Sequence, residues 1–541
     1  MWTSKNWTLE QKVGQLVMAG FDGLTPTEGI LDLIRDEGLG GIIYFRRNIG
    51  DPGQTARLSR LLQEKNAEAG ADVPPLMIAI DQEGGMVSRI DRDITLTPGA
   101  MALGAAGSTR LAYETAKISG RELRLLGINV NFAPCLDVNN NPLNPVIGVR
   151  SYGEDPAFVG ELGTAAVRGY QEAGVAATVK HFPGHGDTEF DSHYGLPRIA
   201  HDTERLRRVE LAPFRQAIAE GTDAVMTAHV IFPAFESEPL PATLSRNVVT
   251  GLLRGELGYD GVIFSDCLEM HAISRHFGVA EGAVLAIEAG VDVVLVSHTL
   301  EEQRAAIRAV VRAVREGRLS EERIEESVKR ILALKERRGM EQPPSVRVEE
   351  VGKRLGLEED WQTVREASER SITLVKDTAG NLPLRLHEPT LVVWAEPREA
   401  TQVVEVIEQE ATLGTALQSY LAKVHEVRLG LDPAEAVVRE LLKEAEGYSQ
   451  VVVATHNPVS RLPEGQVQLV KRLAAQSGIR LVVVSTRNPY DLNEFPAIPT
   501  YLAAYENRPQ AMESLARVLV GAVPARGRLP VTIAAAAAEA E

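Results

Sequence analysis

Cysteine is nearly absent: Cys135 and Cys267 are the two in 541 residues. Two thiols exclude a disulfide framework and a four-thiolate zinc site, and such sparse use fits a reducing compartment. An excess of positive charge is also lacking, since 57 Lys and Arg stand against 74 Asp and Glu, for a formal charge of −17. Nucleic-acid backbones and anionic membrane surfaces both require a basic footprint, so neither is expected as a partner. No apolar run approaches the ~18 residues of a membrane span. The opening residues, Met1-Trp2-Thr3-Ser4-Lys5-Asn6-Trp7, hold none of the roughly 7–15-residue apolar core of a secretory signal. A cytoplasmic protein is expected. There is no short-period repeat, and Gly (46) and Pro (29) are near average, which argues against a long disordered or fibrous region. Oligomeric state is not legible.

What is present falls into two regimes. Up to about residue 340, eight short apolar runs alternate with amphipathic stretches, at 15–20, 41–45, 76–81, 128–133, 177–181, 224–229, 261–266 and 292–298. Each is bounded by Gly or polar residues and reads as a buried strand. Helical stretches such as 204–220 and 281–289 lie between them, and 301–314 and 321–338 look like closing helices. Eight strands with helical crossovers predict a (β/α)8 TIM-like barrel. Strand after strand ends in a group capable of chemistry: Asp81, Asp137, Lys180-His181, His229, Asp266 and His298. In a barrel these ends gather at one face, where active sites sit. Beyond Pro343-Pro344, the expected linker, runs at 391–394, 451–454, 481–484 and 501–504 predict a smaller αβα sandwich on an open parallel sheet. The expected boundaries are 1–345 for the barrel, 346–363 for a linker region and 364–541 for the sandwich. No glycine-rich phosphate loop follows these later strands, which disfavours nucleotide binding. The alanine-rich tail, 534–541, is expected to fray.

The densest polar segment is 180–193, with three histidines, three carboxylates and a lysine in a Gly- and Pro-containing loop. Two chemical readings compete with a merely solvated loop. His181, His185 and His193 are metal-ligand types, although their spacing matches no recognised ligand pattern. Asp191 and His193 lie two apart, so one turn would let the carboxylate fix the imidazole's tautomer and raise its basicity. Asp266 ends a largely apolar strand, where a carboxylate is costly to bury unless paired or used. It reads either as a nucleophile or as a cap of the following helix. Asp81 to Arg89 and the loop carrying Arg150 offer charges beside glycines, suited to paired hydrogen bonds with vicinal hydroxyls or an amide, or to solvated turns.

Lys180-His181-Phe182-Pro183-Gly184-His185-Gly186 followed, four residues later, by Asp191-Ser192-His193 resembles the signature of β-N-acetylglucosaminidases of glycoside hydrolase family 3. Asp81-Gln82-Glu83-Gly84-Gly85, Asn131-Phe132-Ala133-Pro134, the 144–153 loop and Ser265-Asp266 look like that family, in its order. Ser371-Ile372-Thr373-Leu374-Val375-Lys376 and Gly527-Arg528-Leu529-Pro530-Val531-Thr532-Ile533 extend the likeness into the second regime, as in the family's two-domain type. The resemblance implies a retaining exo-β-N-acetylglucosaminidase that releases terminal GlcNAc from muropeptide or chitin-derived fragments. It implies Asp266 as nucleophile, an Asp191–His193 acid/base dyad, and Asp81, Arg89, Arg150, Lys180 and His181 as sugar-binding residues. The implied partner is a small carbohydrate, with no metal or organic cofactor. A phosphorylase of the same family and, in a different class, a metal-dependent hydrolase on a TIM barrel are the alternatives.

Overall fold

The computed structural model describes residues 2, 4–70, 72–342, 348–397 and 411–537. Eight parallel strands close into a barrel: β1 (Val17–Ala19), β2 (Gly41–Tyr44), β3 (Met77–Ile80), β4 (Val130–Asn131), β5 (Ala176–Phe182), β6 (Ala224–Thr227), β7 (Val262–Cys267) and β8 (Val293–Val296). Each pairs with its chain neighbours, and β8 closes on β1 with Val294 opposite Val17. All eight expected strands are present. They read as near-continuous apolar runs because both faces are covered, by interior side chains and by the outer helices. Phe132 and Phe264 meet edge-to-face across the interior at 5.3 Å, worth about 0.5–1.5 kcal/mol beyond area burial. The helix expected over 204–220 is divided into Thr203–Arg208 and Leu211–Ala219. Pro213 has no N–H to donate to the Val209 carbonyl, so a continuous helix would lose a bond there.

The N-terminal end of the barrel is tied by buried charge. Asp292, at the foot of β8, accepts from Ser327 Oγ at 2.6 Å and the Ile263 amide at 2.9 Å, and pairs with Arg254 at 2.5 Å and Arg330 at 3.4 Å. Asp223, at the foot of β6, pairs with Arg338 at 2.5 Å. Both anchor the closing helix Glu321–Arg337 or the residue after it.

The second unit is a six-stranded sheet of β9 (Thr373–Asp377), β10 (Thr390–Ala395), β11 (Val424–Leu429), β12 (Gln450–Thr455), β13 (Arg480–Ser485) and β14 (Thr500–Ala503). Its order is β9-β14-β13-β12-β10-β11, parallel except for β9, which runs antiparallel to β14. Leu391, Val393, Val451 and Val453 pack beneath helices Glu435–Ala445 and Glu464–Ala474, while Val392, Trp394, Val452 and Val482 face helix Pro509–Leu519. The αβα sandwich is therefore present. Its two edge strands were not anticipated, because β9 and β11 mix charges with apolar residues and stay partly exposed. Pro343-Pro344 falls outside the described residues. Of the alanine-rich tail, Ala534–Ala537 forms one helical turn and 538–541 fall outside them.

Asp292→Ala takes the buried carboxylate away from Arg254 and Arg330. It should lower the unfolding free energy by at least about 3 kcal/mol, measured by urea denaturation.

Candidate active site

β3 delivers Asp81 to the C-terminal rim, and a hairpin (Gln82–Gly84 with Val87–Ser88) follows at once. Gly85, at φ +54, makes the tight turn, and a Cβ there would lie 2.6 Å from the Gly99 Cα. The hairpin places Glu83 where Arg150 can grip it with two bonds, Nη2 to Oε1 at 2.7 Å and Nε to Oε2 at 2.9 Å. Lys180 Nζ reaches both Glu83 and Asp81 at 2.7 Å. The result is an alternating chain, Asp81–Lys180–Glu83–Arg150, almost wholly out of water. Burial opposes ionisation of Glu83, but the charges of Arg150 and then Lys180 outweigh it and hold the carboxyl well below its ordinary range. Burial likewise opposes the Lys180 charge, and Asp81 and Glu83 restore it.

Beneath this chain Asp137 is fully buried and satisfied by four contacts. It accepts from the amides of His181 (3.2 Å) and His185 (2.6 Å) and from the Cys135 thiol (3.1 Å), and lies 2.7 Å from His181 Nδ1. An ionised carboxylate accepts only, so His181 carries a proton on Nδ1, and its Nε2 lies 3.5 Å from Arg150 Nη2. Burial raises the Asp137 pKa, yet His181 and its hydrogen bonds bring it down to about 2. The following loop is fixed by Asn144, whose Nδ2 donates to the carbonyls of His185 and Gly186 at 2.8 Å. Gly186 is required, because a Cβ would sit 1.8 Å from the Val138 carbonyl.

Farther along that loop, Asp191 Oδ1 accepts from the His193 amide at 2.8 Å and lies 2.7 Å from His193 Nδ1. Burial works against the Asp191 charge, and the His193 hydrogen bond overcomes it and lowers its pKa. The expected turn is thus formed, and it leaves His193 Nε2 free of Asp191. Opposite, Asp266 near the end of β7 accepts from the Cys267 amide at 2.7 Å. It caps no helix: the helix after it, His271–Ser274, has Met270 at its start. Burial raises the Asp266 pKa, but the imidazoles of His229, His181 and His193 and the Cys267 amide lower it overall, so it is ionised at neutral pH. His229 is pushed down by burial and stays neutral. Its Nε2 donates to the Cys267 carbonyl at 3.0 Å.

One cleft of about 240 Å³ is lined by Asp81, Arg89, Arg150, Lys180, His181, His193 and Asp266. Seven of the eight residues singled out in the sequence therefore share it, and Asp191 stands behind His193. The Arg89 guanidinium lies 5.8 Å from the Phe45 ring centroid. Glu83, Asp137, His185 and His229 were not among the eight. The signals were faint ones: a second carboxylate two residues past Asp81, and the polar strand ends Asp137 and His229.

The three loop histidines do not converge as ligands. His181 is engaged by Asp137 and His193 by Asp191, while His185 sits between Thr188 (2.9 Å) and Ser192 (3.2 Å). Among the described residues two other groups bring three ligand-type atoms within 4.8 Å of one another, Cys135/Asp137/His181 and Cys267/Glu269/His298. Burial holds both thiols protonated, Cys267 with a pKa near 11, and Glu269 already accepts the amides of His298 and Thr299.

A carboxylate and an oriented imidazole in a small cleft on a barrel rim define a hydrolytic type of site. The N-terminal domain model of glycosyl hydrolase family 3 matches residues 8–334, and the C-terminal domain model of that family matches residues 366–541. This chain belongs to glycoside hydrolase family 3. A solved family 3 β-N-acetylglucosaminidase from Paenibacillus sp. str. FPU-7 superposes with a TM-score of 0.93 at 54% identity, covering 97% of this chain and 99% of that one. Beta-hexosaminidase A of Pseudoalteromonas piscicida is 33% identical over 93% of this chain and 90% of its own. A β-N-acetylglucosaminidase/β-glucosidase of Cellulomonas fimi is 29% identical over 93% of this chain and 94% of its own.

Asp137→Asn should cost about 2 kcal/mol of stability near neutral pH, from the drop of its pKa from 3.8 to about 2 on folding. A depressed carboxylate stabilises the fold above its unfolded pKa. The gap between wild type and variant should therefore close as pH falls from about 4 through about 2, read from chemical denaturation at each pH.

Proposed function

We propose that this enzyme is a retaining exo-β-N-acetylglucosaminidase, releasing non-reducing terminal GlcNAc from muropeptide or chitin-derived fragments. The observation that carries this reading is the placement of an ionised Asp266 and an Asp191-oriented His193 on one small cleft. Asp266 attacks the anomeric carbon while His193 Nε2 gives a proton to the leaving oxygen. A covalent glycosyl-enzyme results. Water then attacks the same carbon, His193 takes its proton, and Asp266 is released. An imidazole replaces the second carboxylate of the usual retaining pair. It adds no second negative charge beside Asp266, and an imidazole is a side chain able to both give and take a proton.

The cleft volume supports exo action. About 240 Å³ lies below the roughly 300–1,000 Å³ of pockets that enclose drug-sized ligands, so one sugar enters and the leaving portion stays outside. By likeness to the family, Asp81, Lys180 and His181 hold ring hydroxyls, Arg150 lies toward the N-acetyl group, and Arg89 completes the sugar contacts. The specificity for GlcNAc rests on the relatives: the Paenibacillus and Cellulomonas proteins carry that activity in their names, and the Pseudoalteromonas protein is named a hexosaminidase. The two free cysteines suit a cytoplasmic setting, where recycled cell-wall fragments would be the substrate.

Asp266→Ala should lower kcat by about 10³-fold or more, and full activity in that variant would refute the mechanism. His193→Ala should lose about 10²–10⁴-fold on natural substrates and much less on aryl glycosides whose leaving groups need little protonation. Equal losses on both would remove His193 from the acid role. Release of chromophore from an aryl β-N-acetylglucosaminide is expected at equal rates with and without phosphate, with free GlcNAc as product. A rate that rises with phosphate and yields the sugar phosphate would identify a phosphorylase instead.

A further inference from the structure

Among the described residues the sandwich supplies none of the groups that line the cleft, yet it grips the two barrel segments that carry Glu83 and Arg150. Arg508 Nε donates to the Gly85 carbonyl at 2.8 Å, and Glu506 Oε2 accepts from the Gly99 amide at 2.9 Å. A third contact is more specific. β12 and β13 lie side by side and run into matching sequences, Thr455-His456-Asn457-Pro458 and Thr486-Arg487-Asn488-Pro489. These two turns bind each other: Thr486 Oγ1 donates to the Thr455 carbonyl at 2.8 Å, and Arg487 Nη1 donates to the carbonyls of Asn457 (3.0 Å) and Pro458. They present Asn488 to the barrel in one orientation. Its Nδ2 donates to the Val459 carbonyl at 2.9 Å, which turns Oδ1 toward the Val149 amide, 3.0 Å away.

Val149 immediately precedes Arg150 in the single helical turn Gly148–Arg150. Gly148 adopts φ +45, and a Cβ there would lie 2.4 Å from Asn488 Oδ1. The turn and the amide are therefore shaped to each other. A neutral amide meets a double demand here that a carboxylate does not, because it accepts from Val149 while donating to Val459. It also sits beside two buried guanidiniums: burial first, and then the charge of Arg150, pulls Arg487 down to about 10.

We propose that Asn488 is a positioning residue for the reaction, holding the 148–150 turn so that Arg150 meets Glu83 in its two-bond pairing at the sugar site. This rests on the reading of Arg150 as a substrate-holding group. It assigns the second domain a share in substrate binding exercised through the barrel's own side chains, without entering the cleft.

The test is a double-mutant cycle in the full-length enzyme, on whichever aryl β-glycoside the wild type cleaves. Asn488→Ala should reduce kcat/KM about tenfold, the size of one lost hydrogen bond, with most of the change in KM. It should weaken calorimetric binding of free N-acetylglucosamine by a similar factor. In an Arg150→Ala background the same substitution should change kcat/KM less than twofold, because the group it positions is gone. Asn488→Asp keeps the acceptor for Val149 and should recover part of the loss. Thr532→Val, at a domain contact with Glu154 that does not involve the 148–150 turn, should leave the kinetics unchanged. Wild-type kinetics in Asn488→Ala, or an equal loss in both backgrounds, would overturn the proposal. Should Asn488→Ala fail to fold, Asn488→Ser carries the same comparison. A wild type without turnover of any aryl β-glycoside would count against the proposed function, and the binding comparison would still decide the role of Asn488.

Discussion

The site depends on keeping four charges out of water. Asp81, Lys180, Glu83 and Arg150 alternate in sign, with three contacts at 2.7 Å and one at 2.9 Å. Buried singly, any of them would be neutralised or expelled, since desolvating one ion costs several kcal/mol even after relaxation. Buried as a chain, each is paired, and the groups are aimed before a sugar arrives. That is useful for binding polyhydroxylated ligands, whose hydroxyls need donors and acceptors already in place rather than flexible side chains that must be ordered on binding.

The barrel divides its charges by end. At the N-terminal end Asp292 and Asp223 pin the closing helix, through arginines, a serine hydroxyl and a backbone amide. At the C-terminal end the same residue types converge on a cleft. Strands that run parallel around a closed sheet send their polar ends to one rim, so chemistry collects there and stability can be secured at the other. The loop after β5 shows how firmly the rim is held. Asn144 spends its hydrogen bonds on backbone carbonyls and amides, while Asp137 and Asp191 each hold backbone amide and imidazole together, which orients His181 at the end of β5 and His193 in the loop beyond it.

The sandwich extends this logic across a domain boundary. The barrel hairpin is a pair of very short strands and 148–150 a single helical turn, and both are braced from outside by Arg508, Glu506 and Asn488. Where two layers meet through buried polar contacts of this kind, register is specific, because an unmatched amide or carboxylate would be left unsatisfied.

Local patterns were enough to read much of this protein. Eight apolar runs bounded by glycine or polar residues identified the barrel strands, and the continuous apolar runs at 391–394 and 451–454 identified a sheet covered on both faces. The Lys180–His193 segment and the strand-end Asp266 marked the cleft, because histidines and carboxylates are scarce at apolar strand ends without a use. Edge strands β9 and β11 were hidden by their charges, since an edge needs no continuous apolar run. The break before Leu211 was hidden because a helical pattern tolerates proline near a start. The roles of Glu83, Asp137 and His229 became visible only when distant segments met. Each is a charge or ring whose meaning lies in its partner: Arg150 is 67 residues from Glu83, and His181 is 44 from Asp137. Asn488, 339 residues from Val149, is the extreme case. Sequence determines which residues can ionise, bury or turn. Only the tertiary structure decides which of them face one another, because pairing energies fall off within a few ångströms and chain distance carries no information about them.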